Sequence, residues 1–449
     1  MASRPTRIVI LGGGFAGVYA GLHLQRIFAR TESVHITLIS DENFLLFTPM
    51  LPEVPSSSIE PRHIISPLRA SFRSVHFHNS DVHSVDLEKR TVAAYRCPSC
   101  QPYQLAFDHL VLALGSVTHF FGLPGVAENA LPMKTLGDAM TLRNHIIDRF
   151  EHADMQPEPA MRRALLTFVV AGGGFAGAET VAELADFAHT ARRFYRNIRP
   201  EEVSVILVHT GSHIMPEISV QLADYALKKL RRRGVQVLLN TSVRRASADW
   251  VELSSDQRIP TKTLIWTAGV TAHPLVTSLP CARNQRRQIV VNEYLEVPDY
   301  PGIWAIGDCA QIRDPRTGAP YPPTAQHAVR QGKAVAHNIA ASLRGGAKRA
   351  FAFKPLGVLA SLGRRSAVAQ ICGIRFSGFF AWWLWRTIYL FKLPGLERKV
   401  RVAMDWTLDL FFRRDIVLLK VLMKRARSEV SPEATATEDI TAQEAGSSQ

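Results

Sequence analysis

Glycines at one spacing, written twice, are the residues of this chain whose types and positions point most directly to chemistry. Gly12-Gly13-Gly14-Phe15-Ala16-Gly17 returns letter for letter as Gly172-Gly173-Gly174-Phe175-Ala176-Gly177. In a Gly-x-Gly-x-x-Gly turn the first glycine permits the tight bend. The second lets backbone N–H groups approach a pyrophosphate, and the third lets the following helix pack on its strand. The anion sits on the free N–H groups and positive dipole of the helix N-terminus. Two copies a domain-length apart imply two dinucleotides. Gly12, Gly14, Phe15, Ala16 and Gly17 would surround one; Gly172, Gly174 and Gly177 would surround the other. An acid is expected just beyond the second strand of each unit, where it holds a ribose hydroxyl. The first unit offers Ser40 followed by Asp41, and the second offers His209.

Other candidates lie at strand ends and helix starts. Ala113 and Gly115 end the apolar run HLVLALG, and Ala268 and Gly269 end LIWTAG at the matching place of the second unit. Asp308 follows the buried run Ile303–Ile306, at the strand end where ligands of open α/β sheets lie, or else caps it. Ala325 and Gln326 open a helix over Thr324–Ala341, with Gln331 farther along it. Glu179 stands near the start of the second glycine-turn helix, as a site residue or as an acid favoured by the helix dipole. The sixteen histidines show no metal-ligand spacing, and no metal is expected.

The elements that must position these residues read as follows. Ile8–Leu11 and Phe168–Ala171 are β-branched strands, and Val18–Phe28 and Ala178–Phe187 are small-residue helices. Val34–Ile39, Val203–Val208 and Val235–Asn240 read as further strands; Met140–His152 and Tyr225–Arg233 read as helices. Asn43–Glu60 is an apolar, proline-rich loop, and Arg62–Arg69 a short helix. Val75–Phe107 alternates as an antiparallel insert, with Cys97-Pro-Ser-Cys100 at a hairpin tip. A lone cysteine pair cannot complete a four-ligand zinc site. The fold class is α/β: two Rossmann-like dinucleotide-binding domains, the second inserted in the first, and a C-terminal amphipathic region. Residues 1–122 and 293–345 form the first domain, 123–292 the second, 346–427 the C-terminal region and 428–449 an acidic, disordered tail.

The 449 residues are 47% apolar and 20% charged, as expected of a globular chain. The formal net charge is +14, and Arg344–Arg427 alone holds 18 Lys and Arg against 4 Asp and Glu. Those cations are interleaved with aromatics, and four of the seven tryptophans lie between Trp382 and Trp406. That pattern excludes nucleic acid as the partner in favour of an anionic lipid surface. Phe376–Phe391 is interrupted by Arg386 and falls short of the roughly 20 residues a spanning helix needs. Val402–Lys424 reads as an amphipathic helix, with Asp405, Asp409, Arg413, Lys420 and Lys424 on one stripe. The segment lies in a membrane interface, closes a homodimer or belongs to the ordinary core. Only Met1–Thr6 precede the first strand, so no targeting peptide is expected. Five cysteines suggest a reducing compartment rather than a disulfide framework.

Taken together, these features resemble the type II NADH:quinone oxidoreductases. The marks are FLLFTPMLPEV (Phe44–Val54), GGGFAGAETVAEL (Gly172–Leu184), WTAGV (Trp266–Val270), AIGDCA (Ala305–Ala310), AQHAVRQG (Ala325–Gly332) and GVLASLGRRSAVA (Gly357–Ala369). The resemblance implies noncovalent FAD at the first glycine turn and NADH or NADPH at the second. It places Asp308 on the FAD ribityl chain, Ala325 and Gln326 by the flavin ring at a quinone pocket, and Glu179 at the nicotinamide and flavin. Gln331 would line the same pocket. It implies a peripheral enzyme on the cytoplasmic face of a bacterial inner membrane, passing electrons to a quinone without pumping protons. His209 replaces the acid that would bond a ribose 2′-hydroxyl and repel a 2′-phosphate, which brings close the related NADPH-preferring quinone reductases. Flavin disulfide reductases need a cysteine pair soon after the first unit, and no cysteine precedes Cys97. Sulfide:quinone oxidoreductases need cysteines at the flavin, for which only Cys309 and Cys372 are candidates. A non-catalytic flavoprotein that senses NADH is the remaining alternative.

Overall fold

Short apolar strands and glycine turns build two parallel sheets. The computed structural model describes residues 4–96 and 101–419. In the first unit, β1 (Thr6–Leu11) leads through the glycine turn into α1 (Phe15–Ile27), and β2 (Val34–Ser40) returns beside it. β3 (Val75–Asp86), β4 (Thr91–Arg96) and β5 (Gln101–Ala106) extend that sheet, and β6 (His109–Leu112) lies on its other side. β1 pairs in parallel with both β2 and β6, while β4 pairs antiparallel with β3 on one side and β5 on the other. Arg96 faces Gln101 in the last pairing. The Cys97–Cys100 tip lies outside the described residues.

The second unit repeats the plan. β7 (Ala130–Pro132) and α2 (Leu136–Met155) precede β8 (Thr167–Ala171), whose glycine turn opens α3 (Phe175–Ala191). β9 (Ser204–Val208), α4 (Val220–Arg232), β10 (Val235–Leu238) and β11 (Thr263–Trp266) complete it, in the sheet order β7-β11-β8-β9-β10. The chain then rejoins the first sheet. β12 (Ile303–Ala305) pairs in parallel with β6, so the second unit is inserted in the first. From β12 the chain runs to α5 (Ala325–Arg344), which packs on α1 at Gly332, where a Cβ would stand 2.6 Å from the Ala16 carbonyl. Ile8, Ile10, Leu11, Leu38 and Trp304 are fully buried around β1, and Phe150, Phe168 and Phe187 around β8. Each such side chain contributes about 1.5–3 kcal/mol of burial.

Three sequence expectations are corrected here. Arg62–Arg69 is not one helix: Pro61–Ile64 is a 3₁₀ turn, Ile65–Pro67 a strand and Leu68–Ser71 a single helical turn. Pro67 prevents a continuous helix, because it lacks an N–H and restricts the residue before it. The Asn43–Glu60 segment, expected as an apolar loop, contains a short strand (Phe44–Leu46) and a 3₁₀ turn (Thr48–Glu53). Met50, Leu51, Glu53 and Val54 are buried against α3 and the C-terminal helices.

The third correction concerns the C-terminal region. It begins with the antiparallel strands β13 (Gly357–Ser361), β14 (Ala367–Ile371) and β15 (Ile374–Ser377), followed by α6 (Gly378–Lys392) and α7 (Leu396–Phe411). Pro394 and Gly395, with a φ of +85°, separate the two helices. α7 ends at Phe411 instead of running to Lys424, because the chain turns under to bury Arg414 against Asp409 and Glu183. Lys420 and Lys424 lie outside the described residues. Two residues of the charged stripe point inward, Asp405 meeting His63 and Asp409 meeting Arg414 beside the buried Val402 and Trp406, while Arg413 is exposed beyond the helix end. Trp382 and Trp385 are core residues as well, and of that cluster only Trp383 is well exposed.

Candidate functional site

The first glycine turn separates what the fold requires from what a ligand requires. Gly12 has φ +111°, and a Cβ on it would strike the Ala113 carbonyl; one on Gly17 would strike the Gly12 carbonyl. Both glycines are demanded by the chain itself. Gly14 is different, because a Cβ there would meet nothing within 4 Å. It is the N-cap of α1 with no side-chain cap, so open space adjoins uncapped N–H groups, as a pyrophosphate needs. Ser40 is buried behind the turn, 2.6 Å from where a Gly13 Cβ would lie. Asp41 and the next residue, Glu42, are exposed carboxylates beside it. Asn79 Nδ2 donates to the Asp41 carbonyl at 2.7 Å and holds that corner.

Asp308 is fixed at the end of β12. Its Oδ2 accepts from Ser116 Oγ at 2.8 Å, and Lys134 Nζ lies 3.6 Å away. Ser116 directly follows Gly115, which has φ +69° and open space beside it. Asp308 is therefore a held, partly exposed carboxylate beside the Ala113–Gly115 turn, where it could accept from a cofactor hydroxyl. Gln331 lines a small cavity with Asp308, Thr324 and His327, and Gln326 is not among the residues lining it. The two glutamines lie on different faces of α5, and Gln331 Oε1 accepts from the Gly307 N–H at 2.8 Å, fixing the strap that carries Asp308. Phe15 packs edge-on against Phe47, and Phe47 against Tyr389 of α6, with centroids 5.9 and 6.1 Å apart. The first glycine turn is thus linked through aromatic rings to the C-terminal region.

The second turn repeats the geometry. Gly172 has φ +110° over Ala268, and Gly174, like Gly14, has nothing within 4 Å of its Cβ position. A Cβ on Gly269 would meet the Phe121 ring. His209 ends β9, and its Nδ1 accepts from the Gly173 N–H at 3.1 Å. That bond fixes the neutral tautomer with the proton on Nε2. Burial holds the imidazole below the ordinary histidine range. The ring lines a cavity of about 350 Å³ with Thr210, Ser212, His213, Pro216 and Val220. A neutral imidazole there neither repels a 2′-phosphate as a carboxylate would nor pairs with it as an arginine would.

Glu179 is the fifth residue of α3, beyond the first turn, so the helix dipole does not account for it. Its Oε1 accepts from the Ser361 N–H at 2.8 Å. Burial pushes its carboxyl up to about 8 against the pull of that N–H, with Glu53 and Glu183 adding to the rise. A half-buried carboxyl raised in this way keeps its proton to higher pH than an ordinary glutamate and is suited to proton transfer. Gln326 Nε2 reaches the Gly357 carbonyl at 3.5 Å. Glu179 and Gln326 thus grip the two ends of one strand, β13, and this strand joins α3 to the start of α5.

Residues that sequence reasoning passed over also meet here. Glu53, Glu183 and Tyr389 surround Glu179, and Glu53 and Glu183 stood inside the quoted motifs. Their signal was an acid in an otherwise apolar run. Outside the site, Phe379, Phe380, Trp383, Phe391, Val400, Met404, Leu408 and Phe411 are each at least half exposed along α6 and α7. Lys392, Arg401 and Arg413 are exposed among them. No helix among the described residues is long and apolar enough to cross a membrane.

Two open glycine cradles, a held acid at a strand end and a protonatable glutamate between the units define a two-dinucleotide oxidoreductase. Residues 6–332 match the family described as pyridine nucleotide-disulphide oxidoreductase, and residues 356–415 match the NDH2 C-terminal domain. A probable NADH dehydrogenase of Dictyostelium discoideum is 33% identical over 419 residues, spanning 91% of this chain and 90% of its own length. The type II NADH:quinone oxidoreductase Ndh of Mycobacterium tuberculosis is 30% identical, over 92% of this chain and 89% of its own. The structure of NDH2 from Plasmodium falciparum in complex with NADH has the same fold. It superposes with a TM-score of 0.85 at 20% identity, over 92% of this chain and 100% of that one. The chain belongs to the type II NADH dehydrogenase family of pyridine nucleotide-disulphide oxidoreductases.

Proposed function

We propose that the protein is an FAD-dependent enzyme that takes a hydride from NADH and passes two electrons to a quinone without pumping protons. The observation that carries this is the pair of open cradles at Gly14 and Gly174, with Glu179 and Gln326 fixed on one strand between them. FAD fits the first cradle, where Gly14 and the α1 N-terminus would hold its pyrophosphate, Asp41 a ribose and Asp308 the ribityl chain. When bound, FAD supplies the hydride-accepting and electron-donating chemistry that no side chain offers.

The protein's own part is binding and proton handling. Gly172, Gly174 and Gly177 receive the NADH pyrophosphate, and Ala268 and Gly269 border it. Glu179, with Ser361 fixing one carboxylate oxygen, gives a proton to the reduced acceptor. Gln326 donates an amide hydrogen bond to a quinone carbonyl. Phe15, Ala16, Ala113, Gly115 and Ala325 form the walls around the cofactor.

Selectivity between NADH and NADPH is weak in this reading, because neutral His209 stands where an acid would discriminate. The exposed apolar face of α6 and α7 enters an anionic membrane surface, and the cytoplasmic face of a bacterial inner membrane is the surface proposed. Lipid is favoured over a homodimer by the exposed Lys392, Arg401 and Arg413, suited to phosphate headgroups. A long-tailed quinone stays in lipid until it meets the pocket, avoiding an extraction that would cost about 0.8 kcal/mol per CH₂. The test is a stoichiometric assay on the purified flavoprotein with NADH and a short-chain quinone. One quinol per NADH is expected, and NADH oxidation that leaves the quinone untouched would overturn the proposal.

A further inference from the structure

The enclosed region between α3, the Thr48–Glu53 turn and the C-terminal helices holds more carboxylates than cations. Among the described residues, five carboxylates meet there: Glu53, Glu179, Glu183, Asp186 and Asp409. Three enclosed guanidiniums answer them: Arg233, Arg386 and Arg414. Arg233 pairs with Asp186. Arg414 lies 3.0 Å from Asp409 Oδ1 and 3.2 Å from Glu183 Oε2. Arg386 stacks on Trp382 and Trp406, with its guanidinium carbon 4.1 and 4.7 Å from the ring centres.

Other groups border the cluster without changing its balance. The exposed Arg364 gives its side chain to the Asp409 and Leu410 carbonyls and its N–H to Asp186. On α7, Asp405 is taken by His63; on α2, Arg143 is taken by Ser57, the Val417 carbonyl and Asp415. The Tyr389 hydroxyl of α6 stays protonated near Glu179. Five carboxylates share three cations, with Arg386 facing Glu53, Glu183 and Asp409 together, so two negative charges are left without a counter-charge in the cluster. An unpaired ionised carboxylate in such a place costs several kcal/mol, so the cluster keeps two protons instead.

We infer that Glu53 is a positioning residue for quinone reduction: it holds one of these protons and restores Glu179 after Glu179 has given its own to the quinone. The inference rests on the NADH-to-quinone reading above. The overall balance is NADH plus quinone plus one solvent proton giving NAD⁺ plus quinol, with NADH oxidised by two electrons and the quinone reduced by two. The solvent proton must cross a region with little exposed surface, and the carboxylates lie along that region. Glu179 and Glu183 are one turn apart on the same face of α3. Glu183 Oε2 accepts from Ser56 Oγ at 2.8 Å and faces Ser58 Oγ at 3.3 Å, while the Ser56 hydroxyl also reaches the Glu53 carbonyl at 3.0 Å. Among the described residues, Glu53 accepts one side-chain bond, from Trp406 Nε1 at 2.7 Å, which leaves its other oxygen for a proton. Burial and the neighbouring Glu183 push the Glu53 carboxyl up to about 7, so it exchanges near neutrality.

The test is Glu53→Gln, which keeps an oxygen for the Trp406 indole but carries no exchangeable acid proton, with Glu53→Asp as the conservative variant. Infrared titration of the flavin-loaded protein, without NADH or quinone, counts protonated carboxyls and does not depend on turnover. Glu53→Gln should remove one carboxyl that titrates near neutrality. In quinone turnover it should steepen the alkaline decline, with little loss near about pH 6 and about tenfold loss near about pH 8.5. Glu53→Asp should restore part of that loss. An unchanged carboxyl count, or a loss equal at all pH values and not relieved by aspartate, overturns the inference. A wild-type protein that reduces no quinone refutes the functional reading instead, while the infrared count still reports on the protons.

Discussion

Phe379, Phe391 and Phe411 offer a direct test of the docking face, because all three are exposed and none belongs to the core. Their relative exposures are 61%, 74% and 78%. An aromatic side chain presents about 150–250 Å², so each leaves about 100–150 Å² in water. At about 25 cal/mol per Å², transfer of that surface is worth about 3 kcal/mol per ring, or about 1.5 kcal/mol if half of it enters the headgroup boundary. The triple change to serine should therefore weaken membrane partitioning by about 4–5 kcal/mol, roughly a thousandfold. The assay is cosedimentation with liposomes containing anionic lipid, using flavin-loaded protein. Turnover with a water-soluble quinone should persist, whereas turnover with a long-tailed quinone in liposomes should fall with binding. Raising the salt should weaken binding of the unchanged protein only in part, since the apolar contribution survives screening. Equal sedimentation of the triple variant and the parent would refute the reasoning. Deleting the region from Gly378 onward is a poorer test, because Ala381, Trp382, Trp385, Val402 and Trp406 are core residues.

Three further outcomes are expected. Gly14→Val should fold and yield colourless protein, since its backbone is extended and its Cβ would point into the space kept for the pyrophosphate; full flavin occupancy would count against the assignment. His209→Glu should raise the NADH-to-NADPH ratio of kcat/KM by about 1–3 kcal/mol, roughly five- to more than a hundredfold, and an unchanged ratio would move the ribose elsewhere. Glu179 has a folded-state pKa near 8, above its unfolded value, so the stability its bound proton lends is fully present below about pH 4.5 and is lost as pH rises through about 8. Quinone reduction should decline through that range. Stability should fall between the two values as well, because the folded state binds the extra proton there. Glu179→Gln should flatten the stability profile, and an unaltered denaturation midpoint profile would mean that the carboxyl is ionised throughout.

The sheets and cradles were legible because their signals are local. Gly12-Gly17 and Gly172-Gly177 each lie between an apolar run and a small-residue helix, and backbone geometry follows directly from such glycines. The inserted arrangement could also be read, since β12 has a strand's composition and an acid at its end. The C-terminal region was less legible because its periodicity has two meanings. Asp405 and Asp409 share a face with Val402 and Trp406, and only the partners His63 and Arg414, far apart in sequence, show that this face is internal. Gln331 was legible only in part: spacing along α5 placed it one turn on from His327, but its bond to Gly307 depends on where β12 ends. Glu53 looked like a mark of resemblance and nothing more, because its significance lies in a charge balance summed over five segments.

The central claim is that one bound flavin connects NADH to quinone. Anaerobic stopped-flow absorbance on the purified flavoprotein tests it most directly, with NADH added first and quinone second. Bleaching of the flavin by one equivalent of NADH, followed by full recovery of the oxidised spectrum on addition of one equivalent of quinone, is the result predicted. A flavin that bleaches with NADH and stays reduced in the presence of quinone would contradict the account.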